Sequence, residues 1–158
     1  ARNLRNLGFA DALVPLVFER SIPLLGICVG AQLLTRGSEE GSEPGLGWIA
    51  AETKKFPAIE RSDYKVPHMG WNTAEPAVEH RLFSNFDKPP RFYFVHSYFM
   101  QCDEPDSVLC RTTHGVDFAS GIFKNNISGV QFHPEKSHKF GMQLLRSFAQ
   151  TNEMANGD

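Results

Sequence analysis

The sequence predicts an α/β domain, and three observations carry that prediction. A short apolar strand runs into a glycine-flanked turn and a helix, a middle stretch alternates short strands with turn residues, and an amphipathic helix closes the chain. At 158 residues the chain is long enough to close one hydrophobic core without disulfide or metal staples, so residues 1–158 are read as a single domain.

The elements follow in order. Leu4, Leu7, Leu13, Val14 and Val17 recur at helical spacing and predict an opening amphipathic helix. Ile22-Pro23-Leu24-Leu25-Gly26-Ile27 then reads as a fully buried parallel strand. A helix over Ala31 to Arg36 is expected to end at Gly37, and the acidic, glycine- and proline-bearing segment 38–47 reads as a loop. From Trp48 to Val130 short strands are expected around Ile49 to Ala51, Lys65-Val66, Phe92 to Val95, Ser107 to Leu109, Ala119 to Ile122 and Ser128 to Val130. After Ser137, the residues Phe140, Leu144, Leu145 and Phe148 share one helical face, and 151–158 reads as a frayed tail. The chain opens at Ala1 in helix pattern. In a doubly wound domain such a helix joins two parallel strands, and only the second stands here, so a preceding segment is expected.

Composition narrows the function. A hydrophobic fraction of 41% and a charged fraction of 22% are ordinary for a globular protein. No apolar run reaches the roughly 20 residues of a membrane span. A net charge of -2, with no dense Lys/Arg cluster, argues against a nucleic-acid partner. Cys28, Cys102 and Cys110 are odd in number and widely spaced, which argues against a disulfide framework and for a reducing, cytoplasmic setting. His68, His80, His114 and His138 lie in separate segments without metal-ligand spacing, so no metal and no cofactor is expected, and Cys102 and Cys110 read as ordinary thiols of the sheet.

The chemistry concentrates in two places. Gly26-Ile27-Cys28-Val29-Gly30, between a buried strand and a helix, has the form of a nucleophile elbow, in which glycines permit a tight turn and the central side chain is thrust outward. The helix N-terminus is expected to favour the Cys28 thiolate, and the Val29 backbone N–H to point where an oxyanion would form. The base is expected in Gln131-Phe132-His133-Pro134-Glu135-Lys136. Residues two apart in an extended segment share a face, so Glu135 can orient the imidazole of His133 toward the thiol. Either motif alone would be better read as a buried structural cysteine or a surface histidine; together they favour catalysis.

GICVGAQLL followed far along the chain by GVQFHPEKS closely resembles the class I (triad) glutamine amidotransferases. Within them, Pro67-His68-Met69-Gly70-Trp71-Asn72 and Tyr93-Phe94-Val95-His96-Ser97-Tyr98 resemble the glutaminase subunits of imidazole glycerol phosphate synthase. The resemblance runs from Leu4 to Phe148. It implies a flavodoxin-like mixed sheet flanked by helices, a triad of Cys28, His133 and Glu135, and an oxyanion donor at Val29. A glutamine pocket lined by Gly30, Gln32, Glu40, His96, Ser97 and Tyr98 is also implied. So is a (β/α)₈ cyclase partner, in a heterodimer, that receives the ammonia near Pro67, His68, Met69, Gly70, Trp71, Asn72, Tyr93 and Lys136. Trp71 and Tyr93 suit an interface or a core equally well.

That family opens with a hydrophobic strand and carries a glycine-rich P-G-V-G-type loop that supplies a second oxyanion donor, and neither is found in these residues. The expectation is therefore a piece of a longer enzyme, weakly active as it stands, since one lost oxyanion donor lowers turnover by about 10² to 10³. Two other functions compete: a glutaminase serving a cyclase-like partner in surface-polysaccharide sugar amidination, and a non-catalytic amidotransferase-like module.

Overall fold

The computed structural model describes residues 1–60 and 64–155, with side chains through residue 150. The chain opens with α1 (Arg2–Asn6) and α2 (Phe9–Val14), followed by a π-turn over Pro15–Glu19. The single opening helix expected from the sequence is thus broken, because Gly8 adopts φ 74, a left-handed conformation that ends one helix and begins the next. Its apolar face is not buried as expected: Leu7 is 70% exposed, while Ala10 and Val17 go inside.

β1 (Leu24–Ile27) leads into α3 (Val29–Leu33), then β2 (Ala51–Lys55), β3 (His68–Thr73), β4 (Glu75–Pro76), β5 (Arg91–His96) and β6 (Tyr98–Cys102). β7 (Val108–His114), β8 (Val116–Lys124), β9 (Ile127–Val130) and α4 (His138–Ala155) complete the order. A seven-stranded sheet runs β1-β9-β8-β6-β2, with β7 paired to β8 and β4 to β7; β3 and β5 form a separate two-stranded sheet.

The α/β class holds, as a mixed sheet. β1 and β9 are parallel, whereas β9 with β8, β8 with β6 and β7, and β6 with β2 are antiparallel. β1 closes one end of the sheet path and is only half-buried along most of its length, not the fully enclosed strand expected. α3 begins and ends earlier than expected, with Leu34 and not Gly37 at its carboxyl cap. α4 continues to Ala155 where a frayed tail was expected, and 156–158 lie outside the described residues.

Two apolar layers hold the sheet. One gathers Phe56, Leu82, Phe92, Phe94, Leu109, Phe118, Phe132 and Leu144 beneath α4 and the small sheet. Its centre is the face-to-face pair Phe92 and Phe132, 3.9 Å between centroids, which docks β5 against the segment leaving β9. The other layer joins Val17, Ala31, Leu34, Ile49, Met100, Ala119, Ile122 and Ile127 and fixes α3 on the sheet. Among the described residues no helix is long and apolar enough to cross a membrane.

Candidate active site

The site is built on the parallel pair. Ile27 registers with Val130, and the Cys28 N–H continues the ladder by donating to the Val130 carbonyl at 2.8 Å. Cys28 and Gln131 therefore leave neighbouring strands at the same carboxyl edge, where open α/β sheets place their ligands. Cys28 itself has φ 51 and ψ -110, a backbone conformation that non-glycine residues hold only under strain and that marks a side chain forced outward. Gly26 is required by space, since a Cβ there would come within 2.7 Å of the Gly30 carbonyl oxygen. Gly30 differs from that expectation: a Cβ on it would enter open space, so it widens the elbow's approach and does not permit its packing.

The helix N-terminus was expected to favour the thiolate, but the other surroundings of the thiol act the opposite way. Burial pushes its pKa up, outweighing the Val29 N–H and the Gln131 amide, which pull it down; Glu135 and Glu40 add to the rise. The physical reason is that α3 has only five residues, so its dipole is small, while burial disfavours the charged form. A thiol whose pKa is raised calls for a base. The Val29 N–H, next in the chain to Cys28, acts to lower the thiol's pKa and is available to an adjoining oxyanion.

His133 supplies a suitable nitrogen. Its Nδ1–H donates to Glu135 Oε1 at 2.6 Å, which leaves the Nε2 lone pair free, and that Nε2 is buried without a hydrogen-bond partner. Buried polar atoms are seldom left unpaired, so an orphaned imidazole nitrogen is a mark of function. The ring's backbone is held from two sides. The His133 N–H donates to the Tyr93 carbonyl at 2.9 Å, and the buried Ser137 hydroxyl donates to the His133 carbonyl at 2.5 Å while accepting from the Tyr93 N–H at 2.9 Å.

A cavity of about 150 Å³ opens beside the thiol, lined by Cys28, Val29, Gln32, Glu40, Val95, His96, Ser97 and Tyr98. Of the six residues expected around glutamine, Gly30 alone is not in this lining. Gln32 is mostly committed to the protein: its Nε2 donates to Gln131 Oε1 at 3.0 Å and to the Tyr98 carbonyl at 3.4 Å, leaving its Oε1 for a ligand. Glu40 stands exposed on loop 38–47, which is pinned by Gly45 N–H to Arg36 carbonyl at 2.7 Å and Leu46 N–H to Leu33 carbonyl at 2.7 Å. A larger cleft of about 410 Å³, between Pro57, Cys102, Pro105 and Asp117, contains no histidine and is not a second candidate.

Sequence reasoning missed two residues here. Gln131 is fully buried, accepts from Gln32 and donates through Nε2 to Cys28 Sγ at 3.7 Å. Ser137 makes the clamp just described. Both stand inside the GVQFHPEKS motif, and a polar residue adjoining an apolar strand end was the available signal.

The expected partner surface divides. Met69 and Trp71 are exposed on one side of β3, with Trp71 stacked on His138 at 5.6 Å and edge-on to the half-buried Tyr93 at 6.2 Å; Pro67 and Lys136 are exposed as well. His68 is buried and Asn72 half-buried, because alternate residues of a strand face opposite ways. His68 thus lies inside with His96 and His114: its Nδ1 is 2.9 Å from His96 Nε2, and its ring stacks on His114 at 4.1 Å. Histidines from separate segments do meet, against the expectation from their spacing. They meet by stacking and hydrogen bonding to each other, and among the described residues no His/Cys/Asp/Glu group is placed to hold a metal. Cys102 and Cys110 lie in the sheet as expected, their thiols pushed up by burial to about 11 and about 12.

Comparison with known proteins gives the family. The family model for class-I glutamine amidotransferases matches residues 4–151. The chain is 46% identical over 149 residues to the imidazole glycerol phosphate synthase subunit HisH 2 of Pseudomonas aeruginosa, covering 94% of this chain and 73% of that one. It is 48% identical to the subunit HisH 2 of Methanococcus maripaludis, covering 92% and 71%. Among solved structures, a glutamine amidotransferase matches at TM-score 0.65 and 21% identity, over 93% of this chain and 69% of the other. Another, from Thermotoga maritima, matches at TM-score 0.58 and 18% identity, over 99% and 60%. The chain belongs to the class-I glutamine amidotransferase family and, within it, groups with the HisH subunits of imidazole glycerol phosphate synthase.

Proposed function

We propose that this chain hydrolyses the side-chain amide of glutamine, with Cys28 as nucleophile, His133 as acid and base, and Glu135 as the group that orients the imidazole. The single observation that carries this is the free, buried Nε2 of His133 on a ring whose other nitrogen is committed to Glu135, on the segment leaving β9, the strand paired with the one that ends in the strained Cys28.

The chemistry is acyl transfer. His133 Nε2 takes the Cys28 proton as Sγ attacks the amide carbon, and the carbonyl oxygen becomes an oxyanion near the Val29 N–H. The imidazolium returns the proton to the departing nitrogen, ammonia leaves, and a glutamyl thioester remains on Cys28. Water, deprotonated by the same Nε2, then attacks the thioester; glutamate departs and the thiol regains its proton. Burial raises the thiol's pKa, so base assistance belongs to the first step.

Glutamine's polar ends fit the cavity's polar walls. Glu40 suits the α-ammonium, while Gln32 Oε1 and the segment His96, Ser97 and Tyr98 suit the remaining donors and acceptors. The ammonia is passed to a (β/α)₈ cyclase subunit that makes imidazole glycerol phosphate in histidine biosynthesis. That reading is supported by the names of the relatives, and nothing in the comparisons favours sugar amidination. The exposed Met69 and Trp71, with Tyr93, Pro67 and Lys136 around them, form the surface offered to that subunit. Three free thiols accord with a reducing cytoplasm.

The test uses a glutamine analogue bearing an electrophile, with peptide mapping of the product. Labelling at Cys28 with Cys102 and Cys110 spared is expected. Equal labelling of the three would overturn the assignment and favour a non-catalytic module.

A further inference from the structure

His96 lines the cavity beside Cys28, and the hydrogen bonds behind it run in one direction only. Its Nδ1 lies 2.6 Å from the Tyr98 carbonyl oxygen, an atom that accepts and never donates, so Nδ1 must carry the proton. In a neutral ring Nε2 is then an acceptor. The atom 2.9 Å away is His68 Nδ1, which must therefore be the donor. That leaves His68 Nε2 as an acceptor, and the amide of Asn72 meets it, Nδ2 at 3.2 Å. Asn72 is itself held: its other Nδ2 proton goes to the Thr113 carbonyl at 2.9 Å, and its Oδ1 accepts from the Thr73 N–H at 2.8 Å. The second of these fixes the amide so that its NH₂, and not its oxygen, faces His68. His68, Gly70 and Asn72 share one face of β3, which brings the side chains of His68 and Asn72 together.

We propose that Asn72 and His68 are positioning residues for glutamine hydrolysis, which hold His96 in its neutral Nδ1–H form and thereby fix the Tyr98 carbonyl in the wall of the substrate cavity. The proposal rests on the glutaminase reading above. The Tyr98 carbonyl takes a second hydrogen bond from Gln32, so the tautomer of one buried ring sets the orientation of two cavity residues. A neutral His96 also suits the reaction, because it lies close enough to His133 for a charge on one to oppose a charge on the other, and His133 becomes an imidazolium during catalysis. The chain of bonds begins on the strand that carries Met69 and Trp71, so the partner-facing strand and the cavity wall share one polar connection.

Asn72→Asp tests this directly. A carboxylate cannot donate to His68 Nε2 and would instead require a proton there, which strips His68 Nδ1 of its proton and reverses the chain. In the complex with a saturating cyclase subunit, the KM for glutamine should rise about tenfold, the loss of roughly one well-formed hydrogen bond, with a smaller change in kcat. The ¹⁵N spectrum of His96 should move from the Nδ1–H pattern to the Nε2–H or doubly protonated pattern. Alkylation of Cys28 by iodoacetamide should be unchanged, and His68→Gln, which retains a donor toward His96, should restore most of the affinity that His68→Leu loses. A His96 spectrum and a KM that stay as in the parent would overturn the proposal. So would lowered thermal stability with both unchanged, since that marks a merely structural role. Failure of the glutaminase reading is separate: it would appear as hydrolysis that survives Cys28→Ala while the His96 spectrum still responds to Asn72→Asp.

Discussion

Two groups of histidines in this molecule occupy opposite chemical situations. His133 has one nitrogen tied to a carboxylate and the other buried with nothing to bond. His68 and His96 have every ring nitrogen engaged, and burial holds their pKa values down to about 3 and about 4. The difference teaches that burial alone does not make a histidine chemical. Saturation of both nitrogens locks a ring into structure, whereas a single open nitrogen leaves it able to move a proton. The cysteines repeat the contrast, since Cys110 is enclosed in the sheet while Cys28 is set on a strained turn at the edge of a cavity.

The comparison is broken most directly by exchanging side chains at its two poles. His133→Gln should lower kcat for glutamine by about 10³, within the range for loss of a general base, whereas His68→Gln should leave kcat within about tenfold. Steady-state glutamate release in the presence of the cyclase subunit measures both, and equal losses would erase the distinction. Glu135→Gln should cost less, about 10 to 100-fold in kcat, because the carboxylate is half exposed and orients an imidazole that the backbone clamp also holds.

The saturated pair should show itself in acid stability. Both folded-state pKa values lie below the ordinary histidine value of about 6.5, so the unfolded chain takes up these protons first as pH falls. Stability present above pH 6.5 is lost progressively as pH falls, and the loss levels off below about pH 3. Denaturant titrations from pH 7 to pH 4 measure this, and His68→Leu should flatten the slope. The smallest effect is expected at Gln131→Leu. Removing that amide leaves Gln32 Nε2 without its nearest acceptor, destabilising the fold by about 1 to 2 kcal/mol, and takes a donor from Cys28 Sγ, so that the thiol titrates higher and reacts more slowly.

What the sequence disclosed and what it withheld follow from how local each feature is. The elbow was legible because its requirement is local: Gly26 is dictated by the Gly30 carbonyl four residues on, and a buried strand leads straight into it. The pairing of His133 with Glu135 was legible for the same reason. β2 was placed too early because Ala51-Glu52-Thr53-Lys54-Lys55 lies at the sheet's end, where only alternate positions are buried and the polar half disguises the strand. β6, with Tyr98, Phe99 and Met100 adjoining Gln101 and Cys102, follows β5 across one residue and offered no turn signal to separate it. The opening helix was read as continuous because apolar spacing does not register a left-handed glycine. Its exposed Leu7, Phe9 and Phe18 show that periodicity names a face without naming what covers it. The His68, His96 and His114 cluster was hidden for a different reason. It joins β3, β5 and β7, and no spacing rule reports contacts made by sheet pairing and stacking across the sequence.

On the proposed mechanism, an open nitrogen of His133 makes the Cys28 thiol reactive toward a glutamine-shaped electrophile. The rate of Cys28 alkylation by such an analogue, compared at neutral pH between the parent chain and His133→Gln, measures this activation. A slowing of about 10² or more, with Cys102 labelled equally in both proteins after unfolding, is the predicted result. Equal rates at Cys28 would contradict the account.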